Sequence, residues 1–209
     1  MDAESGGVKL APMIRRLLPI MAALLIAAPA FAAPSRVKVA LKTDQGTIVI
    51  ALDMKRAPIT AGNFLAYVDQ KKLDGTTFYR AARAVGNAKR GFIQGGVHRD
   101  ARRSLPPIAH EPTTKTGLRH LDGTISMARR EPGTAMGEFF ILVGAAPAMD
   151  AKPGQKGDNA GYAAFGQVVS GMPVVKRILA SKTWPQGSGA MKGQLIKERV
   201  KIVEARRVG

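Results

Sequence analysis

The chain has no cysteine among its 209 residues. That excludes a disulfide framework, a thiolate nucleophile and any cysteine-ligated metal, so packing and hydrogen bonds must hold the fold. Aromatic residues are scarce, with one Trp, three Tyr and seven Phe. Most of them fall in apolar strand patterns, which gives little support to a platform for stacking nucleic-acid bases. Acidic residues are also few: 15 Asp and Glu stand against 32 Lys and Arg, a formal net charge of +17. Such a surface attracts nucleic acid, anionic lipid or acidic protein without choosing among them. The histidines His98, His110 and His120 lack metal-ligand spacing, and no glycine segment has the Walker pattern that cradles phosphate. No metal or cofactor is expected. The remaining composition, 45% hydrophobic and 22% charged, excludes disorder and suits one domain with a full core.

From Met13 the chain runs through the basic pair Arg15 and Arg16 and an apolar stretch to Ala28, and ends in Ala30-Phe31-Ala32. This is the order of a signal peptide, with cleavage expected before Ala33. The apolar stretch from Leu17 to Ala28 is about half of the roughly 20 residues that a membrane-spanning helix needs, and no later stretch reaches that length. The expectation is an N-terminal extension and signal peptide over residues 1–32, a single domain over 33–209, a periplasmic location, and no stable membrane anchor after cleavage. Losing Asp2, Glu4, Lys9, Arg15 and Arg16 lowers the charge only to +16, so the basic character belongs to the folded domain.

Val37, Val39 and Leu41 alternate with polar or small residues, Thr43 to Gly46 has turn chemistry, and Thr47 to Leu52 resumes the apolar pattern. This predicts a hairpin with one buried face. Further strands are expected over Thr76 to Arg80, Gly91 to Gln94, Gly123 to Ala128, Glu138 to Val143, Ala163 to Val169 and Arg199 to Ala205. Two segments have helical spacing instead: Ala61, Phe64, Leu65 and Val68 after Pro58, and Val174, Val175, Ile178 and Leu179 after Pro173. Proline near a helix start removes an N–H that has no partner there anyway. Many strands, two helices and no βαβ alternation predict a mainly β, closed antiparallel barrel capped by two helices. Lys152 to Gly161 and Pro185 to Gly193 read as loops, and Trp184 is expected to pack against the body, away from any site.

Several blocks carry an identity. Ala57-Pro58-Ile59-Thr60-Ala61-Gly62-Asn63-Phe64, Phe78-Tyr79-Arg80, Gly91 to Gly96, Gly123 to Ala128, Phe139-Phe140-Ile141 and Phe165-Gly166-Gln167-Val168 resemble, in order, the signature of cyclophilin-type peptidyl-prolyl isomerases. Gly117-Leu118-Arg119, Met127-Ala128-Arg129 and Gly161-Tyr162-Ala163 look closest to the exported bacterial branch. The resemblance implies an eight-stranded closed barrel with two helices, and an enzyme that turns X-Pro bonds in unfolded or flexible polypeptides as a monomer, without a cofactor.

The chemistry implied is modest in parts and large in effect. Amide resonance sets a barrier of about 18–20 kcal/mol to X-Pro rotation, so spontaneous exchange takes tens to hundreds of seconds. A fixed donor aimed at the prolyl nitrogen, or at charge that develops as the amide twists, stabilises the rotated state. Arg80 is the candidate, because its guanidinium is planar and permanently charged. By the resemblance, Gln94 binds the substrate backbone, Phe140, Met149 and Phe92 or Ile93 wall the proline pocket, Ala128 and Arg129 touch the peptide chain, and Tyr162 stands where relatives have a pocket histidine. Phe139 and Phe140 alternate along a strand, so only one of them faces the pocket.

Three departures matter. Only Ile93 separates Phe92 from Gln94, where the family commonly has one residue more. Glu138 replaces a usual glutamine and is expected near Arg80, either pairing with it or blunting its field. Ala148 stands where some relatives carry a tryptophan that contacts cyclosporin, so weak cyclosporin binding is expected. Two other readings remain at the level of sequence: a non-catalytic proline-peptide module or chaperone, and a binder of anionic surfaces that uses no specific nucleic-acid chemistry.

Overall fold

The computed structural model describes residues 1–2, 36–155 and 157–209. The segment read as a signal peptide, and its cleavage site, lie outside the described residues.

Strand β1 (Arg36–Thr43) turns through Asp44 and Gln45 into β2 (Gly46–Asp53), paired antiparallel from Arg36↔Asp53 to Thr43↔Gly46. Gly46 is required at the turn: its φ is +125°, and a Cβ there would sit 2.9 Å from Cγ2 of Val174. The other strands are β3 (Thr77–Ala84), β4 (Asn87–Gly96), β5 (Thr124–Met127), β6 (Glu138–Val143), β7 (Ala163–Ser170) and β8 (Leu195–Val208). They close into a barrel in the order β1-β2-β7-β5-β6-β4-β3-β8. Inward-facing Val39, Leu41, Ile50, Phe78, Ile93, Phe139, Ile141 and Phe165 form one core.

Helix α1 (Pro58–Asp69) drives Phe64 into that core, edge-on to Phe139 at 5.3 Å and beside Phe165 at 5.4 Å. Its N-cap, Ala57, offers no side-chain acceptor. Buried Glu111 supplies one from 51 residues away, accepting from the Thr60 N–H at 2.7 Å and the Thr60 hydroxyl at 2.6 Å. A carboxylate at this end also suits the helix dipole. Helix α3 (Met172–Leu179) buries Val174, Val175, Ile178 and Leu179 over β2, β3 and β4.

The strands and the two long helices are those expected from the sequence, with four differences, the first being that β3 runs on to Ala84, four residues past the expected end at Arg80. A third helix, α2 (Thr113–Thr116), is a single turn ended by Gly117 in the left-handed region. It is too short for apolar spacing to reveal. β4 begins four residues before Gly91: Asn87 pairs with Ala84 across the hairpin, the register shifts before Gly91, and Asn87 to Arg90 are all exposed and so carry no apolar alternation. β8 extends past both expected ends, since β1 takes its C-terminal part and β3 its N-terminal part.

Candidate active site

The outer faces of β3, β4, β6 and β5 meet in one patch because the register places Arg80 opposite Gln94, Gln94 opposite Phe140 and Phe140 opposite Ser126. Period-2 alternation then decides each side chain. Phe92, Gln94 and Phe140 face outward, whereas Ile93 and Phe139 are fully buried in the barrel. Phe92, not Ile93, therefore lines the outer groove, and the expectation of a pocket-lining Ile93 is corrected by its burial in the barrel core. Gly91 absorbs the irregularity: its φ is +139°, and a Cβ there would lie 2.0 Å from the Ala82 carbonyl oxygen.

The rings of Phe92 and Phe140 lie 5.3 Å apart, and Tyr162 stands edge-on to Phe140 at 5.3 Å. Met149, in a 3₁₀ turn (Pro147–Met149), faces Phe92 across a groove of about 420 Å³ that also runs past Ala82, Leu142 and Ala145. The Tyr162 N–H donates to the Met149 carbonyl at 2.9 Å, fixing those two walls to each other.

Arg80 lies over the Phe92 ring, its central carbon 4.9 Å from the centroid. Three acceptors hold the guanidinium: Nη1 donates to Oε1 of Gln94 at 2.9 Å, Nε to Oε1 of Gln194 at 2.8 Å, and Nη2 to the Ala190 carbonyl at 3.1 Å. Burial lowers its pKa from the ordinary 12.5, yet arginine stays cationic in proteins. Ala190 comes from the segment Pro185 to Gly193 read as a loop, which here carries a 3₁₀ turn (Gly189–Met191), and Gln194 follows it directly, just before β8. Their long separation from Arg80 left no sequence signal.

Glu138 does not pair with Arg80, contrary to one sequence-based expectation. Its carboxylate accepts from the Tyr79 hydroxyl, from Nε2 of Gln94 at 2.9 Å and from Nδ1 of His98 at 2.9 Å. Burial and the negative charge of Glu138 both push the Tyr79 pKa well up, so Tyr79 remains a phenol that donates. Nε2 of Gln94 also reaches the Tyr79 oxygen at 2.7 Å. With both ends of its amide engaged and only 5% of its surface exposed, Gln94 is built to hold Arg80 rather than to offer a free amide to a peptide.

Arg129 has a similar role. Its side chain is 2% exposed, its guanidinium lies 5.1 Å from the centroid of Tyr162, and it donates to the Gly161 carbonyl and, at 2.8 Å, to Asp158. It braces Tyr162 from behind. Ala128, at the end of β5, is half-buried on the rim. Trp184 is half exposed beneath Nζ of Lys197, 4.8 Å from the centroid, so it is a surface residue rather than a packed one.

Spacing alone did not reveal a hydrogen-bonded chain behind Phe140. His120 meets Asp150 through Nδ1 at 2.6 Å and Ser126 through Nε2 at 3.0 Å, and its ring is stacked 6.2 Å from Phe140. Burial lowers the His120 pKa despite Asp150, so the neutral ring gives its Nδ1 proton to the carboxylate and accepts from the Ser126 hydroxyl. Ser126 has no exposed surface and His120 only 1%. No substrate reaches such a serine, so the trio supports the pocket floor instead of acting as a nucleophile.

Residues 38–207 match the family model described as cyclophilin type peptidyl-prolyl cis-trans isomerase. Peptidyl-prolyl cis-trans isomerase A of Dickeya dadantii is 39% identical over 160 residues, covering 74% of this chain and 77% of that protein. A peptidyl-prolyl cis-trans isomerase of Acinetobacter baylyi is 35% identical over 195 residues, 91% of this chain and 94% of its own. Among solved structures, a cyclophilin type isomerase of Cryptosporidium parvum superposes with a TM-score of 0.63 at 18% identity, covering 83% of this chain and 98% of that one. A second structure of it, in the presence of the dipeptide Ala-Pro, gives a TM-score of 0.61 at 19% identity, with 82% and 99% covered. The barrel, the outward aromatic patch and these likenesses agree: the chain belongs to the cyclophilin-type peptidyl-prolyl cis-trans isomerases.

Proposed function

We propose that this isomerase seats a proline ring between Phe92, Phe140 and Met149 and uses Arg80 to stabilise the twisted X-Pro amide. The observation that carries the reading is a guanidinium fixed by two glutamine amides directly over an apolar aromatic seat. As the amide leaves planarity, its nitrogen becomes an acceptor, and the Arg80 N–H groups not engaged by Gln94, Gln194 and Ala190 supply a preorganised donor. An acceleration of about 10⁵ corresponds to about 7 kcal/mol, of which one fixed charge beside a partly dry pocket supplies a large share. Gln94 and Gln194 position Arg80; Glu138 and Tyr79 position Gln94; Arg129 braces Tyr162. The related structure determined in the presence of Ala-Pro supports a proline peptide as the ligand class. Substrates are unfolded or flexible polypeptides, bound by a monomer that assists folding of exported proteins in the periplasm. The signal-peptide order of residues 13–32 supports that placement. Exposed Ala148 in place of a large aromatic supports weak cyclosporin binding.

A second reading has one specific observation in its favour. Ala190 already occupies one side of the Arg80 fork, as it would in a proline-binding module without turnover. Exchange spectroscopy on a short X-Pro peptide separates the two: acceleration of cis-trans exchange by the purified chain supports the isomerase, and tight binding without acceleration leaves the module. Cell fractionation with N-terminal sequencing tests export. A periplasmic chain beginning at Ala33 supports it, and an uncleaved cytoplasmic chain overturns it.

A further inference from the structure

Beside the proline seat, the groove ends at the tip of the β3–β4 hairpin, where its character changes from apolar to cationic. Arg80, Arg83 and Arg90 all line it. Among the described residues, none of the three has a carboxylate in salt-bridge range. Arg83 donates to the carbonyls of Leu179 and Ser181 at the end of α3, so main-chain oxygens fix it without neutralising it. Arg90 is exposed and, among the described residues, donates only through Nη2, to the Ala145 carbonyl at 2.8 Å, so that Nε and Nη1 have no acceptor there. Asp122 lies at the same corner, but its Oδ1 accepts from the Gly144 N–H at 2.6 Å and not from Arg90. A fork held at one end over an apolar floor is suited to bidentate capture of a carboxylate.

We propose that this arginine corner is a subsite for an acidic side chain flanking the proline, with Arg90 as the principal contact and Arg83 adding charge, so that the chain prefers acidic X-Pro or Pro-X sequences over neutral and basic ones. The inference rests on Phe92 and Met149 being walls of the proline seat, because they line the same groove as Arg83 and Arg90. Charge complementarity selects the occupant: a carboxylate gains two charge-assisted hydrogen bonds there, whereas a lysine meets three like charges. A single partly exposed pair of this kind is worth a few-fold in affinity and weakens with salt.

The test is kcat/KM of the full chain on proline hexapeptides carrying Glu, Ala or Lys on either side of the proline, for wild type, Arg90→Glu and Lys55→Glu. Lys55 follows β2, on the opposite wall of the barrel, and controls for net charge. A three- to tenfold preference for Glu over Ala in wild type supports the subsite, provided that it reverses towards Lys in Arg90→Glu, persists in Lys55→Glu and fades in 0.5 M salt. Equal kcat/KM for Glu, Ala and Lys peptides overturns the subsite while leaving the proline seat intact, as does a preference lost equally in both variants. If no peptide is turned over, the isomerase reading fails on its own, and calorimetric ranking of the same peptides decides the subsite: Glu tighter than Ala in wild type but not in Arg90→Glu supports it, and equal binding overturns it.

Discussion

Replacing Glu138 separates two roles that a carboxylate so close to Arg80 can have. Glu138 is linked to the guanidinium through Gln94, with hydrogen bonds of 2.9 Å on each side of the amide. At a separation of roughly 7 Å and an effective dielectric of about 20, the two charges attract by about 2 kcal/mol. Solvent at the open groove reduces this to about 1 kcal/mol, a factor of about five in rate if the carboxylate draws down the field that Arg80 offers the twisting amide. Glu138→Gln keeps an oxygen for the Tyr79 hydroxyl and for Nε2 of Gln94, and its new NH₂ meets Nδ1 of His98 once that ring carries its proton on Nε2. The variant is therefore expected to fold as well as wild type and to retain its rate or raise it up to about fivefold. Glu138→Leu instead takes the acceptor away from the buried Tyr79 hydroxyl proton and from one of the two Gln94 amide protons, leaving only the Gln94–Tyr79 hydrogen bond between them, at about 1–3 kcal/mol for each proton left unpaired. Gln94 then no longer anchors Arg80, and kcat/KM falls at least about tenfold. Exchange spectroscopy on a proline peptide, with urea midpoints alongside, reads both. A drop of more than about tenfold in a stably folded Glu138→Gln would refute the reasoning, and so would a Glu138→Leu variant as active as wild type.

Other outcomes follow from contacts far from one another in sequence. Glu111→Ala removes the acceptor for the first turn of α1 and should cost about 2–4 kcal/mol in urea unfolding, with Glu111→Gln milder because it keeps an oxygen there; an unchanged midpoint in Glu111→Ala contradicts the capping role. Gln194→Ala frees one side of the Arg80 fork and should lower kcat several-fold with little change in KM, whereas a pure KM effect would place Gln194 in binding. Burial holds the His120 pKa below its ordinary 6.5, so only the unfolded chain takes up this proton as pH first falls below that value. This contribution to stability is constant above pH 6.5 and is lost as pH falls from 6.5 towards the lower folded value. A His120 ring that titrates by NMR at or above 6.5 in the folded chain refutes the assignment.

The fold was legible where apolar period and turn chemistry coincide. Val39, Leu41, Ile48 and Ile50 mark β1 and β2, and Phe64, Leu65 and Val68 mark the inner face of α1. It was illegible where pairing rather than burial makes the strand, as at Asn87 to Arg90, and where a helix has only one turn, as at Thr113–Thr116. Arg80, Phe92 and Phe140 were legible through the resemblance, and the strand period alone separates Phe139 from Phe140. The partners of those residues were not. Gln194 lies 114 residues from Arg80, and Asp150 lies 30 from His120, and no local pattern encodes a contact that barrel closure creates. The same limit explains why Glu138 was expected beside Arg80: both side chains lie on one face, but Gln94 stands between them.

The central claim, that Arg80 stabilises the rotated amide, is tested most directly by the cis-trans exchange rate of an X-Pro peptide with wild type, Arg80→Ala and Arg80→Lys. The account predicts fast exchange with wild type, a loss of at least about 100-fold in Arg80→Ala, near 3 kcal/mol, and a substantial loss in Arg80→Lys, whose compact ammonium lacks the planar fork that spans both glutamines and still aims N–H groups at the amide. An Arg80→Ala variant that folds and keeps the wild-type rate would contradict it.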